Sequence, residues 1–323
     1  MGETVLITGG AGYIGAHAAR ELTASGRRVR VLDTLLHGQR AVAEDLARAG
    51  VEIVEGDVRD REARARALEG VDAVVHLAAI VGDPACARDP ELSNDVNVGG
   101  STALVADADA HGVTRFVFAS TCSNYGRMLD PTTPVAEDGE LRPVSLYASQ
   151  KVQIEQMLLG LESKTLHPTC LRFATVYGAA PRMRFDLTVN EFTRDLWSGR
   201  DLEVFGEQFW RPYIHARDVA TAIRTVLDAP LESVSREVYN VGRSSENYRK
   251  IDLIEKIREH VSAGEVRYVS RSDDPRDYKV SFDKIRNGLG FETTMTVPDG
   301  IAELVRDLEA GSFGDPFDPG FRN

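Results

Sequence analysis

The 323-residue chain is poor in cysteine and contains no long apolar run. Its three cysteines, Cys86, Cys122 and Cys170, do not have the spacing of metal ligands, which predicts reduced thiols, no metal site and a cytoplasmic protein. No apolar segment approaches the roughly 18 residues that a membrane span needs. Because the first predicted strand begins at Thr4, we expect neither a signal peptide nor a membrane segment.

Positive charge is outnumbered by negative charge, since 38 basic residues stand against 50 acidic ones and give a net charge of −12. Nucleic acids and anionic membranes attract clustered cations, so this balance argues against both as partners. A phosphate ligand then requires a local basic pocket. The length and the 42% hydrophobic content fit one large domain or two closely packed ones.

What the chain does have is a glycine-rich turn near its start, TGGAGYIG at residues 8–15. The turn follows the apolar run VLI and precedes helical apolar spacing, which predicts a strand, a tight turn and a helix. In such a unit Gly9, Gly12 and Gly15 allow close approach of a pyrophosphate and close packing of the helix on the strand. The first N–H groups of the helix bind the anion.

A second apolar run, RRVRVLDTL, ends near Asp33, where a ribose-binding carboxylate is expected after a glycine turn. A carboxylate there accepts hydrogen bonds from both ribose hydroxyls and repels a 2′-phosphate. The sequence therefore predicts NAD rather than NADP as the cofactor.

Strand and helix patterns alternate as far as Gly178, which predicts an α/β fold with a doubly wound parallel sheet of the Rossmann type. Residues 91–112 predict one long helix, and the tail GSFGDPFDPGF predicts a loosely held end. The chain is expected to divide into a Rossmann domain and a smaller C-terminal substrate lobe, the first formed by residues 1–178 with a return segment at about 213–242, the second by residues 179–212 and 243–323.

The segment LYASQK places Tyr147 and Lys151 four residues apart on a predicted helix, so their side chains share one face. Alone, this pair is more typical of core packing than of catalysis, and it gains weight from the glycine turn. An unperturbed phenol has a pKa near 10. A lysine ammonium and the positive nicotinamide ring both favour the phenolate, so we expect the pKa of Tyr147 to be lowered and the phenolate to act as a base toward a sugar hydroxyl.

Together these motifs resemble the extended short-chain dehydrogenases/reductases, particularly the NAD-dependent nucleotide-sugar epimerases and dehydratases. The resemblance covers nearly the whole chain. It is carried by TGGAGYIG, VLD, GDVRD, VVHLAA, DVNVGGS, ASTCSNYG, YASQK, RFATVYG and WRPYIHARDVA.

The resemblance implies a role for each matching residue. Thr121 hydrogen-bonds the reacting hydroxyl, Tyr147 is the base, and Lys151 binds the nicotinamide ribose and tunes Tyr147. The residues implied to bind NAD are Gly9, Gly12, Tyr13, Ile14, Gly15, Asp33, Asp57, Val58, Leu77, Ala78, Ala79, Asn97, Tyr147 and Lys151. Those implied to bind a nucleotide-diphosphate sugar are Thr121, Cys122, Ser123, Tyr147, Asn190, Arg211, Arg271, Asp274 and Tyr278.

The positions after Thr121 narrow the reaction. The dehydratases and decarboxylases of the family carry carboxylates there, whereas this chain has Cys122 and Ser123. Since elimination needs an acid and a base of suitable pKa, C4 epimerisation is the main prediction. The alternatives are a 3- or 5-epimerase that uses Cys122, a nucleotide-sugar ketoreductase or dehydrogenase, and a non-catalytic NAD-binding redox sensor. Cys122 itself is predicted to be a small buried residue beside the site.

Other features carry weaker expectations. Tyr278 favours a plain hexose or uronate over an N-acetylhexosamine, unless it packs in the second lobe. Arg182 and Arg184 in PRMR either contact a carboxylate on the sugar or face solvent, and we expect solvent. The resemblance also implies a homodimer with a four-helix interface formed by residues 91–110 and 147–162.

Overall fold

The computed structural model describes residues 2–128, 130, 133–269 and 276–323. Its strands are β1 (Thr4–Thr8), β2 (Arg28–Asp33), β3 (Glu52–Glu55), β4 (Ala73–His76), β5 (Arg115–Thr121), β6 (His167–Phe173), β7 (Thr175–Tyr177), β8 (Leu202–Val204), β9 (Trp210–His215), β10 (Glu237–Val241), β11 (Asn247–Arg249) and β12 (Val266–Tyr268).

The helices alternate with these strands. They are α1 (Gly15–Ala24), α2 (Arg40–Arg48), α3 (Arg61–Leu68), α4 (Asp83–Arg88), α5 (Pro90–Asn94), α6 (Ser101–Ala110), α7 (Leu146–Leu159), α8 (Thr188–Trp197), α9 (Ala216–Asp228), α10 (Leu231–Val234), α11 (Lys250–Arg258), α12 (Asp283–Leu289) and α13 (Val297–Glu309). A π-helix spans Asp95–Gly100, and 3₁₀ turns span Cys122–Tyr125 and Pro319–Phe321.

A seven-stranded parallel sheet in the order β10-β6-β5-β4-β1-β2-β3 forms the centre of the molecule. All residues of β1 and β4 are buried, as expected for strands covered by helices on both faces. The doubly wound fold predicted from the sequence is confirmed. Because the strands are parallel, β1, β2, β4 and β5 end at one edge of the sheet, where ligands of such folds bind.

The predicted long helix is helical as far as Ala110 but is not a single α-helix. It runs as α5, the π-helix Asp95–Gly100 and α6. The side chain of Asn97 in the π-helix forms two hydrogen bonds with the backbone of Ile80, at 2.8 and 3.0 Å. π-Helices are rare and often lie at functional sites. This one fixes the loop that follows β4.

Two smaller sheets lie outside the central one, a three-stranded sheet, β11-β9-β7, and a two-stranded sheet, β12-β8. Together with the helices packed on them, α8, α11 and α13, they are called the second lobe below. The strand predicted to extend the central sheet to Gly178 therefore stops at Phe173, and β7 pairs with β9 instead. The chain then re-enters the central sheet at β10, which pairs with β6. Among the helices that the structure describes, none is long and apolar enough to cross a membrane.

The C-terminal tail packs on the second lobe, so the expectation of a loosely held end is wrong. The backbone N–H of Phe185 donates to the carbonyl oxygen of Phe321 at 2.9 Å. The rings of Phe313 and Phe321 meet the Phe185 ring edge-on, with centroids 5.2 and 5.6 Å away. These aromatic contacts outweigh the turn-forming glycines and prolines in this segment.

Candidate active site

The glycine turn lies between β1 and α1 and is shaped by close backbone contacts. Gly9 has a φ of +70° and donates its N–H to the carbonyl oxygen of Leu32 at 2.8 Å. A Cβ atom at Gly15 would overlap the carbonyl oxygen of Gly9. No side chain caps the start of α1. The turn therefore presents bare backbone at a helix N-terminus, which is the arrangement that binds anions.

Asp33 ends β2 directly beside this turn. Its carboxylate accepts hydrogen bonds from the N–H groups of Ala11, at 3.0 Å, and Leu35, at 2.9 Å. Burial raises the pKa of Asp33 above its ordinary value, and the two backbone donors oppose that rise. The structure thus brings Asp33 to the turn, and its contact with a ribose stays a prediction.

The residues predicted to surround the rest of the cofactor line the same edge of the sheet. Val58 is buried, Asp57 is ion-paired with Arg59 at 2.7 Å, and the half-buried residues 77–79 follow β4. Asn97 is 4% exposed, and besides Ile80 its amide contacts Gln150 of α7 at 2.9 Å. Asn97 therefore positions the loop after β4 rather than offering its amide to a ligand.

Helix α7 is docked against the end of β5 by two side chains. Lys151 Nζ donates to the carbonyl oxygen of Ala119 at 2.8 Å, and Ser120 Oγ donates to Glu155 Oε2 at 2.7 Å. The next residue of β5 is Thr121, and Tyr147 lies one turn before Lys151. The docking therefore brings the predicted catalytic residues to one end of the sheet, together with the glycine turn.

Lys151 is buried and Tyr147, one turn away, is half-buried. Lys151 Nζ lies 5.8 Å from the centroid of the Tyr147 ring and 4.7 Å from that of Phe118. Burial lowers the pKa of Lys151 to about 8. Burial raises the pKa of Tyr147, and the neighbouring Cys86 thiol adds to that rise. The expected lowering of the Tyr147 pKa is thus not found in the chain alone, because desolvation of the phenolate exceeds the opposing attraction of Arg184.

Cys122 points into the interior. The residue is 1% exposed, and its Sγ donates to the carbonyl oxygen of Arg172 at 3.2 Å. Burial raises the pKa of the thiol. The predicted substrate contact of Cys122 is not supported by this orientation, whereas the prediction of a small buried residue agrees with it.

Three of the predicted substrate residues form a continuous line from the end of β5 into the second lobe. Ser123 Oγ lies 3.3 Å from the hydroxyl of Tyr278, which is buried. The guanidinium of Arg211 lies 5.1 Å from the centroid of the Tyr278 ring, and its Nη1 donates to the carbonyl oxygen of Trp210 at 2.7 Å.

Another predicted substrate residue, Asn190, is not on that line. Asn190 is completely buried, and its amide binds the backbone of Gly178 and of Arg184, at 2.9 and 2.8 Å. It is placed to hold the second lobe together rather than to bind substrate. Arg271 and Asp274 lie outside the described residues.

Sequence reasoning missed several buried charges near the site. Arg182 and Arg184 were expected to face solvent, but they are 7% and 8% exposed. Arg276 of the second lobe forms an ion pair with Asp83, in the segment after β4, at 2.9 Å. In the sequence, the only indication that Arg182 and Arg184 are buried was their clustering in PRMR, shortly after a predicted strand. Within the described residues no group of three or more possible metal-ligating side chains comes together.

Comparison with known proteins identifies the family. A family model described as the NAD dependent epimerase/dehydratase family matches residues 5–242. The UDP-glucose 4-epimerase of Rhizobium meliloti (strain 1021) is 31% identical over 316 residues, which cover 90% of this chain and 92% of that protein.

Solved structures agree in fold over almost the entire chain. The Thermus thermophilus UDP-glucose 4-epimerase in complex with NAD is 28% identical, with a TM-score of 0.83 over 95% of this chain and 99% of that one. The dTDP-glucose 4,6-dehydratase DesIV from Streptomyces venezuelae, solved with NAD bound, is 28% identical, with a TM-score of 0.86 over 97% and 99%. The predicted enzyme class and the predicted NAD cofactor are confirmed. The chain belongs to the NAD-dependent epimerase/dehydratase family.

Proposed function

We propose that this protein interconverts a nucleotide-diphosphate sugar with its C4 epimer by transient oxidation to the 4-keto sugar. The observation that carries the proposal is the docking of α7, which bears Tyr147 and Lys151, against the end of β5, which bears Thr121, while Asp33 contacts the glycine turn. NAD, when bound there, supplies a hydride acceptor and donor for the sugar carbon.

Side chains of the protein transfer the proton of the sugar 4-hydroxyl. Tyr147 takes the proton from the 4-hydroxyl, and Thr121 Oγ1, which already accepts a hydrogen bond from the N–H of Ser123 at 3.1 Å, binds the same sugar oxygen. With a pKa of about 8, Lys151 is mainly cationic at pH 7 and stabilises the phenolate. The reverse transfer on the opposite face of the sugar completes epimerisation.

Elimination and thiol chemistry are disfavoured at this site. The two residues after Thr121 carry no carboxylate, and the thiol of Cys122 is directed at the carbonyl oxygen of Arg172. A 4,6-dehydratase needs an acid and a base there. A 3- or 5-epimerase that relies on Cys122 needs that thiol directed at the sugar.

Two side chains of the second lobe favour a substrate sugar that has no N-acetyl group. The Tyr278 hydroxyl beside Ser123 fills space next to the end of β5, and Arg211 behind its ring supplies a cation for the substrate diphosphate. The relatives named UDP-glucose 4-epimerases favour a UDP-hexose or UDP-uronate. Binding of the nucleotide, at a distance from C4, keeps the 4-keto sugar bound while the sugar rotates to present its opposite face.

We further propose a homodimer that pairs α7 and the segment from α5 to α6 with their copies. Leu92 and Leu146 on these helices are 37% and 39% exposed, which leaves apolar surface for such a four-helix interface. Sedimentation at several concentrations tests it, and a monomer at 10 to 100 times the assay concentration would contradict it.

Incubation of the purified protein with a panel of nucleotide sugars, without added cofactor, tests the function. We expect conversion of one UDP-hexose or UDP-uronate to its C4 epimer without net change in NADH absorbance. Consumption of added NADH or NADPH with a keto sugar would indicate a ketoreductase. Retained NAD without any conversion would indicate a non-catalytic sensor.

A further inference from the structure

The second lobe brings a short segment directly onto the glycine turn. The hydroxyl of Tyr13, in that turn, donates to the carbonyl oxygen of Gly178 at 2.7 Å, and Asn190 Nδ2 binds both this hydroxyl and the carbonyl oxygen of Arg184, at 3.1 and 2.8 Å. His17 of α1 contacts the carbonyl oxygen of Ala179 at 3.0 Å. Residues 178–184 are therefore held beside the N-terminus of α1.

This segment contains two buried arginines in different electrostatic states. Arg184 is neutralised by Asp186, which it binds through Nε and Nη2 at 3.0 and 2.6 Å. Arg182 donates from Nη2 to the carbonyl oxygen of Arg322 at 2.8 Å, but its buried Nε has no hydrogen-bond partner. Arg182 also forms no ion pair with any residue in the described ranges.

The surroundings of Arg182 leave its charge only partly compensated. Burial lowers the pKa of Arg182 to about 10, repulsion by Arg184 adds to that fall, and the charges of Asp186 and Asp33 oppose it. Arg182 in turn acts on the pKa of His37, which follows β2. A buried cation without a paired anion is unfavourable, so the folded chain favours an anion at this place.

We propose that Arg182 completes the cofactor site from the second lobe and binds the pyrophosphate of NAD opposite the N-terminus of α1. The pyrophosphate carries two negative charges, and the glycine turn offers only backbone N–H groups. A planar guanidinium forms paired, charge-assisted bonds with phosphate oxygens. This inference depends on the family's use of NAD and not on the sugar or the carbon that is epimerised.

The test compares Arg182→Gln with Arg286→Gln, a control in α12 whose arginine is 56% exposed and, among the described residues, paired only with Asp283. We expect the Kd for NAD of Arg182→Gln to rise by about 10- to 100-fold, the effect of losing a charged hydrogen bond. NAD recovered per purified chain should fall accordingly. Without NAD, the variant should melt at the same temperature as the wild type or higher, because a buried uncompensated charge is removed.

Arg182 could bind the pyrophosphate of NAD or the diphosphate of the substrate. Titration of UDP at saturating NAD distinguishes these two ligands. An unchanged UDP affinity with weakened NAD binding supports the proposal. A loss confined to UDP would move Arg182 to the substrate site and overturn the proposal. Equal loss of both ligands, unchanged NAD binding, or a lower melting temperature without NAD would also overturn it. These measurements do not require epimerase activity. Failure of the Arg182 proposal can therefore be distinguished from failure of the proposed function.

Discussion

Two regions beside the end of β5 bury polar groups in different ways. On one side, Arg172 meets Glu155 through Nε at 3.1 Å and the hydroxyl of Tyr125 through Nη1 at 2.8 Å. On the other side is the region of the glycine turn, α7 and residues 178–184, which we call the cleft. There Tyr147 is half-buried with a raised pKa, Lys151 is buried with a lowered one, and Arg182 is buried without a carboxylate partner among the described residues.

The difference separates a stabilising region from a reactive one. In the Arg172 network each charge is compensated by a neighbour, so the energetic effect of that network is stability and fixed geometry. In the cleft the charged forms are disfavoured until a ligand arrives, which is the condition expected of catalytic and binding groups. Substitutions in the two regions should therefore affect different measurements.

The largest expected effect is on turnover, from Tyr147→Phe in the cleft. Removing the proton acceptor should lower kcat by about 100- to 10,000-fold. NAD content and the free energy of unfolding should stay near those of the wild type. Near-normal turnover would exclude Tyr147 as the base.

The matched control is Tyr125→Phe in the Arg172 network. Its hydroxyl binds Asn240 at 2.7 Å, so its loss should lower the free energy of unfolding by about 1 to 3 kcal/mol. The turnover of the folded fraction should be kept.

Glu155→Ala should give the largest loss of stability. Its carboxylate is 1% exposed, and removing it leaves Arg172 buried and uncompensated, which costs about 3–5 kcal/mol. Urea unfolding measures the change. The double variant Glu155→Met/Arg172→Met should recover at least half of it, and a loss below about 1 kcal/mol in the single variant would contradict the pairing.

Lys151 should make stability depend on pH. Because its pKa is about 8 in the folded chain and about 10.4 when unfolded, the unfolded state binds more protons between these values. The free energy of unfolding should therefore rise between pH 8 and 10.5 in NAD-free wild type relative to Lys151→Met, by up to about 3 kcal/mol. A flat difference across this range, measured by urea unfolding, would show that Lys151 is not desolvated.

Cys122→Ser should have the smallest effect. The thiol lies on the network side, so turnover should change by less than about two-fold and stability by about 1 kcal/mol. Turnover assays and urea unfolding of the wild type and the variant, at equal concentrations of folded protein, measure the two quantities. A loss of turnover of about 100-fold would show that Cys122 takes part in catalysis.

Local spacing explains which parts of the site could be predicted from the sequence. The glycine turn, Asp33 and the pair Tyr147 and Lys151 each depend on a single strand or helix, so short periodic patterns are sufficient. The direction of the Tyr147 pKa could not be predicted, because desolvation depends on what covers the phenol. The π-helix at Asn97 also escaped prediction, since it is fixed by a tertiary contact with Ile80.

Long-range docking explains the rest. Arg182 lies far along the chain from the glycine turn, and only the hydrogen bonds of Tyr13 and Asn190 bring the two together. A run of arginines by itself is typical of a solvated surface. The packed tail likewise depends on aromatic contacts with Phe185, which no local pattern of turn residues reveals.

The contact between Arg182 and the carbonyl oxygen of Arg322 joins residues 140 positions apart. During synthesis, residues near the N-terminus leave the ribosome first and begin to fold first. A nascent chain thus exposes its glycine turn and Tyr147 long before the tail can seat the guanidinium of Arg182. The proposed contact of Arg182 with NAD therefore waits for the synthesis of the segment around Arg322.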